Sequence, residues 1–340
     1  MASVEQELSS DDVAILKELD DLVKETFLLW DEIWIGFSWR HYYFNHTQRV
    51  KALGLEIGRR EGADLRKLEY AATLHDITKR YDGRILTDSQ GRRILDENGF
   101  WRNELLMPKR ENLVTKLYRE FNQFGSLHNV SGAFIARKIL ESYGFPSDFC
   151  ASVGSIIEGH LKPDNNGEGS SSDVLERRIL YEADTIDANL GLTAFYRNVQ
   201  IRTHYATAAN GRADLRQYIS HIEPWIGSKT SSIDRIVTET GTDTARQRHE
   251  RMKKLSSQIR DEFQNSYRKS LDHGILGIIK AFMDRNQDPN LVDEMDFLFA
   301  RWIPEREKRI NDGTDPESRL IFDGARDFCY LLSREIEGKI

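Results

Sequence analysis

The chain has 340 residues, of which 39% are hydrophobic and 30% charged, which is enough for one large globular domain or two ordinary ones. The formal net charge of -7 argues against a general nucleic-acid-binding surface, because phosphate backbones are held by clustered lysine and arginine. The two cysteines lie far apart in sequence, so we expect no disulfide framework, no thiolate metal site, and a reducing, cytoplasmic compartment. No targeting segment and no run of about eighteen apolar residues occurs, so we expect no membrane association.

Helical signals begin near the N-terminus. Ser9 or Ser10 can cap a first helix, which we expect to run to about Trp30. A second helix is predicted from residues spaced four, three and four apart, with a histidine at its start: His46, Val50, Leu53 and Ile57. Gly62 breaks this helix, and Asp64 can cap the next one. The pattern therefore predicts two helices joined by a short turn.

The third predicted helix ends in two strong metal ligands side by side, His75 and Asp76. Spacings of three and four place the imidazole on the buried stripe of that helix, in the set Leu68, Ala71, Ala72 and His75. Asp76 is offset by about 100° around the same helix, so both side chains can reach one cavity. Lys79 adds a cation one helical turn later. A His-Asp pair alone does not define a site, because a buried histidine is more often a satisfied core residue than a ligand.

Residues 80–125 lack helical periodicity and predict an insertion beside these ligands. The stretch 84–95 is typical of two short strands around a turn, and a second turn signal follows at Asn98 and Gly99. The basic residues of this segment could bind an anionic substrate, although a solvated charged surface is the favoured interpretation for most of them: Arg80, Arg84, Arg102, Lys109 and Arg110. We therefore expect a small insertion that contains a hairpin.

More candidate ligands follow the insertion. His128 begins an apolar helical face, and His160 ends another. The next helix carries Asp184 and Asp187 against its apolar side, and buried carboxylates are costly unless they are paired or bound to metal. Five predicted helices thus each bring one or two imidazoles or carboxylates to a buried edge. A shared metal centre would explain all of these placements with one cause.

The order His, His-Asp, His, His and Asp in a helical chain resembles the HD-domain superfamily of metal-dependent phosphohydrolases. The matching stretches are 46–50, 74–79 and 183–188, which together span about residues 40 to 200. Thr78 stands where many members have glycine, which leaves the subfamily open. The resemblance implies that four side chains bind one metal: His46, His75, Asp76 and Asp184. As in the binuclear members, it also implies that His128 and His160 hold a second metal, with the carboxylate of Asp76 bridging the two ions.

Imidazole and carboxylate ligands favour a divalent transition metal (Mn, Fe, Co, Ni or Zn) over Mg, and we expect one or two ions per chain. Such ions activate water as a nucleophile and polarise a phosphoryl oxygen. Lys79 could neutralise charge on the phosphoryl group, although a solvated surface lysine is an equal alternative. Asp187 is expected to orient a histidine rather than to bind metal, and it completes the predicted catalytic set with Asp76 and Lys79.

We therefore expect an all-α fold in which an HD-domain helical bundle covers residues 1–205, with the insertion at about 80–125. A helical C-terminal extension over 206–340 should pack on this bundle. One helix of the extension is strongly charged, which suits contact with solvent or with another subunit, so a homo-oligomer through the C-terminal helices is one expectation.

The expected function is hydrolysis of a phosphoester or phosphoanhydride in a small phosphorylated substrate, with a nucleotide as the favoured class. Two alternatives stay open. A mixed-valent diiron oxygenase of the same superfamily could use the same six ligands, and a non-catalytic nucleotide sensor could keep the metal centre for structure. A metal-free hydrolase has little support, because neither a Gly-rich phosphate loop nor a GxSxG motif occurs.

Overall fold

The computed structural model describes residues 8–36, 38–90, 92–95, 97, 101–162, 173–313 and 316–339. Most of them are helical, so the predicted all-helical fold class is confirmed. The chain divides into two compact units, Met1–Asp184 and Thr185–Ile340. The predicted domains 1–205 and 206–340 have another boundary and stay a prediction. No helix within the described ranges combines the length and the apolar character needed to cross a membrane.

Within the described residues, the N-terminal unit contains seven α-helices, the last of which continues into the second unit: α1 (Ser10–Phe27), α2 (Arg40–Glu61), α3 (Leu65–Leu74), α4 (Leu113–Glu120), α5 (His128–Ser142), α6 (Ser147–Gly159) and α7 (Val174–Asn189). A 3₁₀ turn covers Lys79–Asp82. The described strands form two antiparallel pairs, β1 (Trp34–Ile35) with β2 (Ser38–Trp39) and β3 (Arg84–Ile85) with β4 (Asn103–Glu104).

The predicted caps determine where the first three helices begin and end. Ser9 Oγ accepts a hydrogen bond from the Asp12 amide at 3.1 Å, and the Asp12 carboxylate accepts from the Ser9 amide at 3.4 Å. Gly62 ends α2 with a φ of 80°, a conformation that costs glycine little. Asp64 Oδ1 accepts from the amide of Lys67 at 3.1 Å and caps α3. One prediction was wrong in detail, because α2 begins at residue 40 and its histidine lies inside the helix.

Helix α3 is held against α1 by a buried carboxylate. The Tyr70 hydroxyl donates to Asp12 Oδ1 at 2.8 Å, and Arg66 Nη2 donates to the same oxygen at 2.9 Å. Burial tends to raise the pKa of Asp12, but hydrogen bonds from Arg66, Ser9 and Tyr70 outweigh it and lower this pKa to about 2. The Arg66 guanidinium also lies 4.6 Å from the ring centroid of Phe149 in α6. Because α3 is fixed on two sides, the residues that follow it take a defined position.

The N-terminus of α5 packs closely on the turn that follows α3. A Cβ added at Gly132 would lie 3.2 Å from Thr78 Oγ1 and 3.4 Å from the His75 carbonyl oxygen, so glycine permits this approach. The Thr78 hydroxyl donates to the His128 carbonyl oxygen at 3.1 Å and lies 2.9 Å from Ser131 Oγ. The threonine at the position where the resemblance expects glycine therefore links the turn to α5.

The insertion contains the first predicted turn. Thr87 pairs with Arg93, and the amide of Asp88 donates to the Arg92 carbonyl oxygen at 2.8 Å, which closes a turn between them. Strand β3 pairs with β4 farther along the chain, an arrangement that the sequence pattern does not predict. Helix α4 also falls inside the predicted insertion. The second predicted turn, at residues 98–99, lies outside the described residues.

The C-terminal unit is helical, as predicted. Its segments are α8 (Leu192–Asn210), α9 (Leu215–Ser228), α10 (Thr230–Ile233), α11 (Glu239–Asn265), α12 (Tyr267–His273), α13 (Ile275–Asp284), α14 (Leu291–Phe297), a π turn (Leu298–Trp302), α15 (Ile303–Asn311) and α16 (Pro316–Ile336). Glu335 Oε2 accepts hydrogen bonds from the amides of Leu192 at 2.6 Å and Thr193 at 3.3 Å. Burial raises the pKa of Glu335, whose other oxygen lies 3.3 Å from Arg251 Nη1. This carboxyl group joins α16 to the start of α8.

Candidate metal centre

The N-terminal unit brings the six predicted metal ligands together. The four imidazoles and Asp76 are buried, and the side chain of Asp184 is 22% exposed. Most of these groups lie at a helix end or in the turn after it: His46 within α2, His75 at the C-cap of α3, Asp76 in the following turn, His128 at the start of α5, His160 at the C-cap of α6, and Asp184 in α7. Helix ends therefore deliver most of the polar groups to the site.

The carboxylate of Asp76 lies at the centre of the cluster. Its Oδ2 atom is 3.7 Å from His75 Nε2 and 3.9 Å from His46 Nε2. Its Oδ1 atom is 3.4 Å from His128 Nε2 and 3.8 Å from His160 Nε2. Each carboxylate oxygen thus lies beside a different pair of imidazoles.

These side chains form two groups that could each hold a metal ion: His46, His75 and Asp76, and Asp76, His128 and His160. Within each group the ligand atoms lie within 4.8 Å of one another. Asp184 Oδ1 lies 2.9 Å from His46 Nε2, which places it beside the first group. Burial tends to raise the pKa of Asp184, but the hydrogen bond from His46 lowers it to about 2.

Backbone carbonyls fix two of the imidazoles in one tautomer. His75 Nδ1 lies 2.7 Å from the Ala72 carbonyl oxygen, and His160 Nδ1 lies 2.6 Å from that of Ile157. Because a carbonyl oxygen only accepts, Nδ1 must carry the hydrogen in both rings, which leaves a lone pair on Nε2. Both rings therefore present the nitrogen that a metal ion requires.

A carboxylate, Asp82, plays the same part for the third imidazole. His128 Nδ1 lies 2.6 Å from Asp82 Oδ2, so an ionised Asp82 accepts the hydrogen from this ring. The sequence analysis missed Asp82, which is the last residue of the 3₁₀ turn and lies 46 positions before its partner. No periodic or capping pattern signals a contact across that distance, so only the tertiary structure identifies it.

Two unpaired nitrogen atoms of the cluster are suited to a metal ion. Nε2 of His75 and Nε2 of His160 are buried and have no hydrogen-bond partner among the residues that the structure describes. A buried polar atom without a partner is costly, and a cation bound to the lone pair would remove that cost. Imidazole nitrogens combined with carboxylate oxygens suit a divalent transition metal, so the residues present fit such an ion.

The electrostatic environment lowers the pKa of two imidazoles, those of His75 and His160, and keeps Asp76 ionised. Burial lowers the pKa of His75, and burial together with the neighbouring His128 and His75 lowers the pKa of His160 to about 3. Burial alone would raise the pKa of Asp76, but the charge of Lys79 and the adjacent imidazoles lower it well below its ordinary value. Metal ligands must be deprotonated, so this is the protonation state that metal binding requires.

The two other predicted catalytic residues differ in their placement. Lys79 is half-buried at the start of the 3₁₀ turn, and its Nζ donates to His128 Nε2 at 2.9 Å. Asp187 is buried on α7, and the Thr193 hydroxyl lies 3.5 Å from its Oδ1. The prediction that Asp187 orients a histidine stays a prediction.

The basic residues of the insertion have several separate uses. Arg80 is buried, lies over the Trp30 ring at 5.4 Å and donates to the Glu32 carbonyl oxygen at 2.5 Å, so it holds the chain segment before α2. Lys109 pairs with Asp31 at 3.0 Å on the surface. These contacts give the two residues structural rather than substrate-binding surroundings.

The chain is similar to known proteins in sequence and in fold. The family model "HD domain" matches residues 43–189, a range that contains all six side chains of the cluster. Among curated proteins, none matches significantly. The chain is 22% identical to a predicted HD superfamily hydrolase from an uncultured Thermotogales bacterium, with a TM-score of 0.42 over 73% of this chain and 92% of that one.

Two further solved structures show a similar level of likeness. Bacillus subtilis YpgQ in complex with ADP is 19% identical, with a TM-score of 0.41 over 75% of this chain and 97% of that one. A protein from Lactobacillus plantarum is 16% identical, with a TM-score of 0.41 over 76% of this chain and 99% of that one. Each of these chains is thus matched over nearly its whole length.

Proposed function

We propose that the chain is a metal-dependent phosphohydrolase, on the premise that residues 43–189 match the family model of the HD domain. Its substrate would be a small phosphorylated metabolite, and nucleotides are the class to test first. One observation carries the proposal. The two carboxylate oxygens of Asp76 each lie within 3.9 Å of a different pair of imidazole nitrogens, in a buried cluster. This arrangement suits a bridging ligand between two cations.

The proposed first ion is held by four side chains and the second by three, with one carboxylate in common: His46, His75, Asp76 and Asp184, then Asp76, His128 and His160. When bound, the ions would supply Lewis acidity at a phosphoryl oxygen and would activate water as the nucleophile. Hydrogen bonds from Nδ1 of the imidazoles to fixed acceptors would hold the ring planes in place while substrate binds. Preorganised donor atoms of this kind need no rearrangement during the reaction.

Lys79 is the proposed group for the transferred phosphoryl. Its Nζ atom contacts His128 Nε2, and its side chain is partly exposed, so it can reach solvent from the edge of the cluster. Turned toward an anionic substrate, the ammonium would offset the negative charge that develops on the phosphoryl oxygens. Asp187 is the proposed orienting residue on α7. The identity of the metal, a cytoplasmic location and a homo-oligomer through the C-terminal helices also stay predictions.

The proposal is tested by the release of phosphate, pyrophosphate or triphosphate, and of the alcohol from a phosphodiester. The panel consists of nucleoside mono-, di- and triphosphates, sugar phosphates and a phosphodiester, each with protein loaded with Mn(II), Co(II) or Ni(II). We expect turnover of at least one member by the wild type. Lys79→Met should lower kcat by about 10²–10³-fold, the usual effect of removing one charge-stabilising donor.

A matched control separates this effect from a general loss of charge. Lys116 is exposed on α4, so Lys116→Met removes the same charge away from the cluster and should keep the wild-type rate. If fully metal-loaded wild-type protein releases none of these products from any member of the panel, the proposal is contradicted. Oxygen consumption by the iron-loaded protein, measured in parallel, would then favour the diiron oxygenase alternative.

A further inference from the structure

Three imidazoles of the cluster have described contacts at Nδ1, and one of these three is held differently from the other two. Nδ1 of His75 and Nδ1 of His160 donate to backbone carbonyls, whereas Nδ1 of His128 donates to the carboxylate of Asp82 at 2.6 Å. A hydrogen bond to an ionised acceptor is shorter and about twice as strong as one between neutral groups. Of these three rings, His128 is therefore the one whose tautomer and orientation depend on a replaceable side chain.

The fold fixes where this carboxylate lies. Asp82 ends the 3₁₀ turn, and the next residue, Gly83, has a φ of 80°, which favours glycine. A Cβ added at Gly83 would overlap the carbonyl oxygen of Glu104. The side chain of Asp82 is only 13% exposed. Its contact with His128 is thus set by the backbone of the turn rather than by a mobile surface side chain.

The same turn also occupies the other nitrogen of this ring. Lys79 begins the turn, and its ammonium donates to His128 Nε2 at 2.9 Å. With the hydrogen of the ring on Nδ1, the lone pair on Nε2 is the only acceptor that this imidazole has. A lysine ammonium and a metal ion cannot use one lone pair at the same time. Lys79 must therefore leave Nε2 before a cation can bind there.

We infer that the turn Lys79–Asp82 controls occupancy of the second metal position, the group Asp76, His128 and His160. Asp82 is a positioning residue that keeps Nε2 of His128 unprotonated and directed at the site, and Lys79 competes with the second ion for this nitrogen. The inference rests on the metal ligands of the proposed function, but it does not depend on the reaction. The ammonium of Lys79 occupies a ligand nitrogen of the second group, so the first position should fill before the second.

The test is a calorimetric titration of metal-free, full-length protein with Mn(II). We expect a tight and a weaker equivalent for the wild type, and loss of the weaker one in His160→Ala. Asp82→Asn should weaken the second equivalent by about 10–100-fold and leave the first unchanged, the usual effect of losing an orienting partner. Lys79→Met should strengthen the second equivalent by about tenfold or more, because a hydrogen bond to a charged group no longer has to be broken.

Positioning and competition have to be distinguished from simple effects of charge. Asp82→Glu keeps the charge but moves the carboxylate, so it should weaken the second equivalent as Asp82→Asn does. A long-range ¹H–¹⁵N NMR spectrum should show His128 protonated on Nδ1 in the wild type and mixed tautomers in Asp82→Asn. A field effect of Lys79 would strengthen both equivalents in Lys79→Met, whereas competition acts on the second alone. Asp21→Asn and Lys116→Met make the same charge changes at exposed positions and should bind as the wild type does.

Two results would overturn the inference: a second equivalent of unchanged affinity in Asp82→Asn, or an equal gain for both equivalents in Lys79→Met. Retention of the first equivalent in each variant shows that the protein is folded. The titration contains no substrate, so its result is independent of the hydrolysis assay. The expected metal binding, together with no product in the hydrolysis assay, would refute the proposed function and support the inference. Hydrolysis without these changes in metal binding would support the proposed function and refute the inference.

Discussion

The contribution of one buried imidazole to the stability of the metal-free protein should fall between pH 7 and pH 5. His160 is about 1% exposed, and burial together with the rings of His128 and His75 lowers its pKa to about 3 from 6.5. The folded protein therefore resists protonation of this ring across the acidic range. The unfolded chain, in which the ring is in water, takes up the proton at an ordinary pKa.

The sign and size of the effect follow from linkage. Above pH 6.5 neither state is protonated at His160, so this ring makes no contribution to the pH dependence. As the pH falls, the unfolded state binds the proton first and is stabilised, and the loss is complete near pH 3. pH 5 lies about 1.5 units below the ordinary pKa of the ring, so the contribution of His160 to the free energy of unfolding falls by about 2 kcal/mol. Burial lowers the pKa of His75 too, so that ring acts in the same direction.

Carboxyl groups titrate in this range too. Burial raises the pKa of Glu294 to about 7 and also raises the pKa of Glu335, so the folded protein takes up protons at these groups as the pH falls, which opposes the loss. The pKa of Asp12 and that of Asp184 are about 2 in the folded protein, against an ordinary 3.8. Their stabilising contribution is present above pH 3.8 and is lost as the pH falls toward 2, so it changes very little between pH 7 and pH 5. The contribution of His160 is therefore measured as the difference between the wild type and a variant that lacks this ring, rather than as the net change of the wild type.

The assay is urea unfolding of chelator-treated protein at pH 7 and at pH 5, for the wild type, His160→Gln and His160→Asn. Both variants remove the titrating ring, so each should lose about 2 kcal/mol less than the wild type between the two pH values. The two substituted side chains differ in size, so the variants should differ in absolute stability. Both should nevertheless show the same difference from the wild type in how the free energy of unfolding changes between pH 7 and pH 5. If the free energy of unfolding of either variant changes between pH 7 and pH 5 as that of the wild type does, the assignment of the effect to this imidazole is refuted.

Two further substitutions test the fold and the site. Asp64→Ala removes the cap of α3, whose end carries His75, and should lower the free energy of unfolding by about 1 kcal/mol in the same urea assay, whereas Asp64→Asn should retain most of the stability. Asp76→Asn removes the charge shared by both groups and should abolish both Mn(II) equivalents in calorimetry. Retention of one tight equivalent would show that this carboxylate is not a common ligand.

Local signals in the sequence predicted much of the fold. Ser9, Gly62 and Asp64 act within a few residues of their own position, so each could be identified without knowledge of the tertiary structure. Apolar spacing likewise located the faces of the helices. The pairing of β3 with β4 could not be predicted, because the strands are two residues long and the segment between them carries its own turn signal.

The candidate site divides in the same way. His75 and His160 could be found because each ends an apolar helical face. The structure adds a reason why the helices stop there, since each imidazole donates to the carbonyl oxygen three residues before it, which belongs to the last turn of its helix. Asp82 could not be found, because its only signal is a contact with a ring 46 residues away.

The same hydrogen bonds explain why a buried polar cluster of this kind favours a cation. Burying four imidazoles with a carboxylate costs free energy unless their polar atoms are paired. The fold provides acceptors for Nδ1 of three rings, and those acceptors force the lone pairs of Nε2 toward the shared carboxylate. A carboxylate and imidazole lone pairs are all acceptors, so they cannot pair with one another, and a positively charged partner is needed. Lys79 meets this need at one nitrogen, which leaves Nε2 of His75 and Nε2 of His160 as the atoms with most to gain from a metal ion.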